Sequence, residues 1–125
     1  MWFMKYLSII LFVVYLSACK KEKKNNIVCT GEAKAALNVK VSSPEGKTIY
    51  IDSLKVIAID AAFSETLAVV NADEFMFAGA YERAGNYQVT VTHPGMSMVT
   101  LKDVKVTKDD CHVIPRNLEV MIGMK

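Results

Sequence analysis

The chain of 125 residues has two histidines, His93 and His112, and a single tryptophan, Trp2. So little histidine narrows the catalytic options, because general-base chemistry near neutral pH leans on that side chain. Other routes are missing too. No G-x-S-x-G elbow presents a serine, and there is neither an H-E-x-x-H zinc motif nor a Walker phosphate loop. The spaced D-x-D-x-D run of a calcium loop is absent, and the adjacent Asp109 and Asp110 read as a solvated turn. A spatial set of serine, histidine and acid stays open. It would need a buried, oriented histidine, and His93, just before Pro94, reads as an exposed turn residue. The expectation is a chain that is not an enzyme and carries no cofactor.

An apolar run long enough to cross a bilayer is also lacking. Tyr6 to Ala18 is apolar except for Ser8 and Ser17, which falls short of the roughly 20 residues a spanning helix needs. Lys5 precedes the run, and Ser17 and Ala18 stand just before Cys19. Charged, apolar and small residues in that order read as an export signal that is removed.

The stretch "LSAC", Leu16 to Cys19, resembles the lipobox of bacterial lipoproteins. The resemblance implies cleavage before a diacylglyceryl-modified Cys19, with Leu16, Ser17 and Ala18 read by the processing enzymes. Two or more acyl chains, palmitate among them, anchor stably where one binds only marginally. The alternatives are an ordinary secretory signal with an incidental cysteine, or an uncut helical anchor. Lys20 follows the cysteine where some bacteria place an aspartate that resembles an inner-membrane retention signal, so the expected address is the cell envelope, the outer membrane ahead of the inner.

Strong charge of one sign is absent from the body. The net charge of +2 falls by one with Lys5 and by three more with "KKEKK" at 20–24, leaving a net negative remainder. A nucleic-acid footprint needs a basic domain surface, so nucleic acid is not an expected partner. The lysine block beside Cys19 reads as a solvated tether near anionic headgroups.

With Cys19 spent on lipid, Cys29 and Cys111 remain. An even pair in an exported chain reads as a disulfide, which here closes a loop of about 80 residues and contributes about 4 kcal/mol on the chain-entropy model. A zinc site built from Cys29, Cys111 and His112 needs a fourth ligand, and neighbours in a strand point to opposite faces. No metal is expected. A body of about 100 residues buries roughly two-thirds of its unfolded surface, enough for one core.

From Lys34 onward the hydrophobic period is two. Leu37, Val39 and Val41 alternate with polar residues before the turn "SSPEGK". "LKVIAID" (54–60) and "YQVTVT" (87–92) are further strands, the second with Tyr87, Val89 and Val91 inward. Val104 with Val106, and Leu118 with Val120 and Ile122, give two more, and Phe75 with Phe77 and Met98 with Thr100 are weaker candidates. Stretch 61–72 declares no period, fits a helical turn or an irregular edge, and is read as a loop. β-branched residues at this density, with turn signals about every 10 residues, indicate a sandwich or barrel.

"VKVSSPEGKTIYIDSLKVIA" together with "YERAGNYQVTVTHPGMSMVTLKDVKVT" resembles the carboxypeptidase regulatory-like family. The resemblance runs from about Ala36 to Ile122 and implies an all-β fold, a single seven-stranded Greek-key-like sandwich of transthyretin type, in an accessory domain without catalysis. Gly46 and Val56 match its first turn and second strand. Gly85 would open a strand, Tyr87 pack the core and Gly95 close the hairpin. Met96 stands where the family usually has an aromatic.

The organisation expected is therefore a leader over 1–18, a lipidated cysteine and lysine-rich tether over 19–33, and the sandwich over 34–125. Glycan binding would lean on exposed rings among Tyr50, Phe63, Phe75, Phe77, Tyr81 and Tyr87, most of which strands would draw into the core. The function implied is a membrane-anchored, non-catalytic binding or structural module of the envelope. The alternatives are a carbohydrate- or peptide-recognition module and an accessory subunit of an envelope complex, with an envelope protein or glycan as partner.

Overall fold

Leu37, Val39 and Val41 are buried while Lys40 is exposed, and this alternation forms β1 (Ala35–Ser42) at the interior of a sheet. The computed structural model describes residues 28–44 and 47–123. The leader with Leu16, Ser17, Ala18 and Cys19, the lysine block and Gly46 lie outside the described residues.

After β1 come a 3-10 turn at Ile51–Ser53 and the strands β2 (Lys55–Asp60), β3 (Phe63–Thr66), β4 (Ala68–Asn71), β5 (Met76–Tyr81), β6 (Gly85–Thr92), β7 (Val99–Val106) and β8 (Arg116–Met121). The fold is all-β, with two four-stranded sheets ordered β4-β5-β1-β8 and β3-β2-β6-β7. All pairings are antiparallel except β1 with β8. Inward residues of both sheets, including Leu37, Val39, Val56, Phe77, Tyr87, Val89, Val91 and Val120, share one core. At about 25 cal/mol per Å² of apolar surface removed from water, this burial is the main drive to fold. Side-chain and backbone bonds lace the sheets together at their edges. Arg116 Nη1 donates to the Lys105 carbonyl at 2.9 Å, and Glu65 Oε2 accepts from the Ala80 amide at 2.6 Å.

Eight strands form among the described residues where seven are expected: 61–72 adds two, and the candidates at Met98 with Thr100 and Val104 with Val106 merge into one, β7. Stretch 61–72 is a pair of short strands, not a loop. β3 closes a two-residue hairpin with β2, Asp60 facing Phe63 across Ala61 and Ala62. Ala61 sits at φ 51°, in the left-handed region that such turns need and that glycine or asparagine usually fills. At the buried Leu67, whose amide donates to the Val56 carbonyl at 2.8 Å, the chain crosses to the other sheet and becomes β4. All four residues of β4 are exposed at the sheet edge, so no alternation marks it.

Two weaker expectations are also corrected. Phe75 is a turn residue at φ 52°, half-buried against the core, and β5 begins after it with Phe77 inward. Residues 99–106 form one strand despite a broken period: Tyr87 faces Val104 but Val89 faces Leu101. The extra β7 residue is accommodated where Asp103 takes φ 55°, a bulge that puts Val99 and Leu101 in phase with Val104 and Val106.

Tyr87 is 1% exposed and ends in polar contacts. Its hydroxyl donates to the Arg83 carbonyl at 2.6 Å and accepts from Arg83 Nη1 at 3.1 Å, and its ring meets Phe63 edge-on at 6.1 Å. Arg83 lies 3.9 Å over the Phe63 ring and donates to Asp60 at 3.0 Å. Its guanidinium is held charged beyond its ordinary range, first by the Tyr87 hydroxyl and then by Asp60. Gly85 leaves room for this pair, because a Cβ there would overlap the Asp60 carboxylate. Tyr87→Ala should cost about 3–5 kcal/mol in chemical denaturation; a loss below about 1 kcal/mol would contradict this packing.

Candidate functional site

The register gives the two sheets a common near end and far end. Ala35 faces Tyr81, Leu37 faces Arg116 and Gly85 faces Val106, so 28–34, 82–84 and 107–115 gather at the near end. The turns after β1 and β6 lie at the far end.

At the near end Cys29 and Cys111 form a disulfide with Cα atoms 5.2 Å apart across a separation of 82 residues. Cys111 lies in the loop ahead of the last strand, not in a strand. Asp109 shapes that loop: its Oδ1 accepts from the amides of Cys111 and His112, each at 2.8 Å, and its own amide donates to the His112 carbonyl. An aspartate that bonds backbone two and three residues on is a self-contained turn. The same bonds, His112 before Cys111, hold the Asp109 carboxyl below its ordinary value.

Glu82 connects this loop to the segment that precedes β1. Its Oε1 accepts from the Lys34 amide at 2.8 Å and from His112 Nδ1 at 2.6 Å, and its Oε2 accepts from the Val113 amide at 3.2 Å. The Glu82 amide donates back to the Lys34 carbonyl at 2.9 Å. Glu82 sits at φ 54°, which turns the chain out of β5. The Lys34 amide first, with His112 and Val113 behind it, lowers the Glu82 carboxyl below its ordinary value. With Nδ1 directed at Glu82, Nε2 lies 3.0 Å from the Thr30 hydroxyl.

His112 is therefore oriented at both nitrogens, which sequence reasoning did not anticipate. The local signal was Asp109 three residues ahead of it; Glu82, 30 residues away, gave none. Hydroxyl, imidazole and carboxylate in that order also occur in acyl-transfer sites. Here the contacts fasten 28–34 to 107–115, beside a cleft of about 340 Å³ lined by Thr30, Glu32, Glu82, Lys108 and His112.

At the far end, His93 is half-buried in its turn. Its Nδ1 lies 2.9 Å from the Pro94 carbonyl, and its Nε2 accepts from the Tyr50 amide at 3.2 Å. These partners assign the proton to Nδ1. The Tyr50 ring, 64% exposed, stacks on His93 with centroids 6.4 Å apart. A cleft of about 400 Å³ opens beside them, lined by Ser53, Lys55, Thr92, His93, Met96 and Met98 among others. Gly95, at φ 78°, makes the tight turn at its rim.

Of the six aromatic candidates, Phe77 and Tyr87 are buried and Phe63 and Phe75 pack partly against the core. Tyr50 and Tyr81 are exposed. They stand at opposite ends and form no pair: Tyr81 faces Ala35, while Tyr50 meets His93. No family model, no curated protein and no solved structure matches the chain.

Replacing both Cys29 and Cys111 with serine should lower the melting temperature of the oxidised protein by several degrees; an unchanged value would contradict the cross-link. Glu82 titrates lower in the fold than its ordinary 4.5. Its contribution is then complete above that value and is lost as pH falls through the lower folded one. Melting curves between about pH 5 and pH 3 should fall less steeply for Glu82→Gln than for wild type. Equal slopes would mean the carboxylate contributes nothing to folding.

Proposed function

We propose that this chain is a lipid-anchored module of the bacterial cell envelope, non-catalytic, with Cys19 as the acylated first residue of the mature protein and the outer membrane as its site. The observation that carries the reading is the Cys29–Cys111 disulfide, a cross-link suited to an oxidising, exported setting. It lies ten residues beyond Cys19. Clasped by the disulfide and by Glu82, the near end faces the membrane and the far end faces away from it. Residues 19–33, with the lysine block at 20–24, serve as the tether between the lipid and the sandwich.

The two four-stranded sheets are compatible with a transthyretin-like Greek-key sandwich of the carboxypeptidase regulatory-like kind. β3 and β4 form one extended segment bent at Leu67, and counted as one strand they bring the total to seven. Recognition of a carbohydrate or peptide at the far end is a second reading, favoured by the exposed Tyr50 ring beside a cleft. Nucleic acid is not a partner in either reading.

Intact mass spectrometry of the protein from its native membranes tests the anchor. The expected species begins at Cys19, carries acyl chains and is missing from a Cys19→Ala variant. A lipid-free mass, or an uncut chain, would overturn the proposal.

A further inference from the structure

The described residues contain four methionines, Met76, Met96, Met98 and Met121, and all lie toward the far end. Met76 faces Lys40 and Met121 faces Ser42 across from the last residues of β1. Met96 and Met98 flank Ser97, whose amide donates to the Gly123 carbonyl at 2.9 Å. Burial does not account for the whole group, since Met98 is 63% exposed and Met121 is 65% exposed. An unbranched thioether gains little from water contact, but it is a soft, polarisable donor.

Three such donors share the far-end cleft: His93, Met96 and Met98. They come from one short stretch, His93-Pro-Gly-Met96-Ser-Met98. Met96 is half-buried against the core and Met98 is exposed, and both line the cleft together with His93. The histidine is already held as a ligand would be. Its Nδ1–H donates to the Pro94 carbonyl at 2.9 Å, fixing the tautomer in which the Nε2 lone pair is the acceptor, directed at the Tyr50 amide. That lone pair now accepts only the 3.2 Å bond from the exposed Tyr50 residue's amide, which water can satisfy once it is displaced.

The donor set also selects the ion. Two thioethers and a neutral imidazole bring no negative charge, so hard dications that want carboxylate or carbonyl oxygens gain little there. Lys55 lines the same cleft, and its ammonium opposes a dication more than a monocation. Among the described residues no three His, Cys, Asp or Glu side chains converge for a metal, and both cysteines are locked in the disulfide. Thioethers are thus the available soft ligands. We propose that His93, Met96 and Met98 form a binding site for a soft monovalent ion, Cu(I) or Ag(I), through Nε2 and two sulfurs. The site does not depend on lipidation.

The test is an anaerobic competition between the full-length oxidised protein, purified in detergent, and a chromogenic Cu(I) chelator. Wild type should withdraw one equivalent of Cu(I), and X-ray absorption should show sulfur and nitrogen neighbours at the copper. Met96→Leu/Met98→Leu, which conserves volume and should keep the melting temperature, should weaken binding at least about tenfold, as should His93→Gln. No withdrawal by wild type, undiminished affinity in the folded double variant, or copper uptake only after disulfide reduction would each overturn the site.

Discussion

One carboxylate, that of Glu82, accepts from the Lys34 amide, His112 Nδ1 and the Val113 amide. These donors belong to two segments far apart in sequence, the run that leads into β1 and the loop that leads into β8. β1 and β8 are neighbours in the same sheet, so their relative position depends on how both entrances are held. The disulfide fixes the distance between those entrances and Glu82 fixes their orientation. A covalent bond alone would leave the loop free to pivot about Cys111; three hydrogen bonds to one anion remove that freedom. Because each donor meets a charged acceptor, these bonds are stronger than neutral ones.

The core depends on a second hub, where Tyr87 places an apolar ring inside and a hydroxyl at the boundary. Arg83 and Asp60 meet the hydroxyl end, and Phe63 meets the ring. Phe63 belongs to the strand whose hairpin turn contains no glycine or asparagine. The edge of the β3 sheet is thus positioned partly by packing onto a residue of β6, which compensates for weak local turn chemistry.

What could be read from the sequence follows the same division. Interior strands declared themselves, since Leu37, Val39, Val41, Val56, Val89 and Val91 each sit between partners and must bury every second side chain. The cysteine pair was legible because compartment and parity constrain it. Edge structure was not. β4 exposes all its residues, Ala61 turns the chain without a turn residue, and Asp103 shifts the period of β7 in mid-strand. At the candidate sites, Asp109 signalled its own loop, whereas the Glu82–His112 contact joins residues that only the fold brings together. The Tyr50–His93 stack was hidden in the same way, its partners being 43 residues apart.

The parallel pairing of β1 with β8 has a mechanical consequence. The chain enters β1 at the near end and leaves β8 at the far end, so tension between the segment before Cys29 and the end of β8 would load their ladder in shear, every rung at once. The closed disulfide reroutes that tension. Force passes from Cys29 to Cys111 and reaches β8 through the few residues between, while β1 to β7 lie inside the covalent loop and cannot be drawn out end to end. A pull on the far end would therefore reach the segment before Cys29 as through a nearly inextensible cord, with most of the sandwich carried alongside it rather than in line.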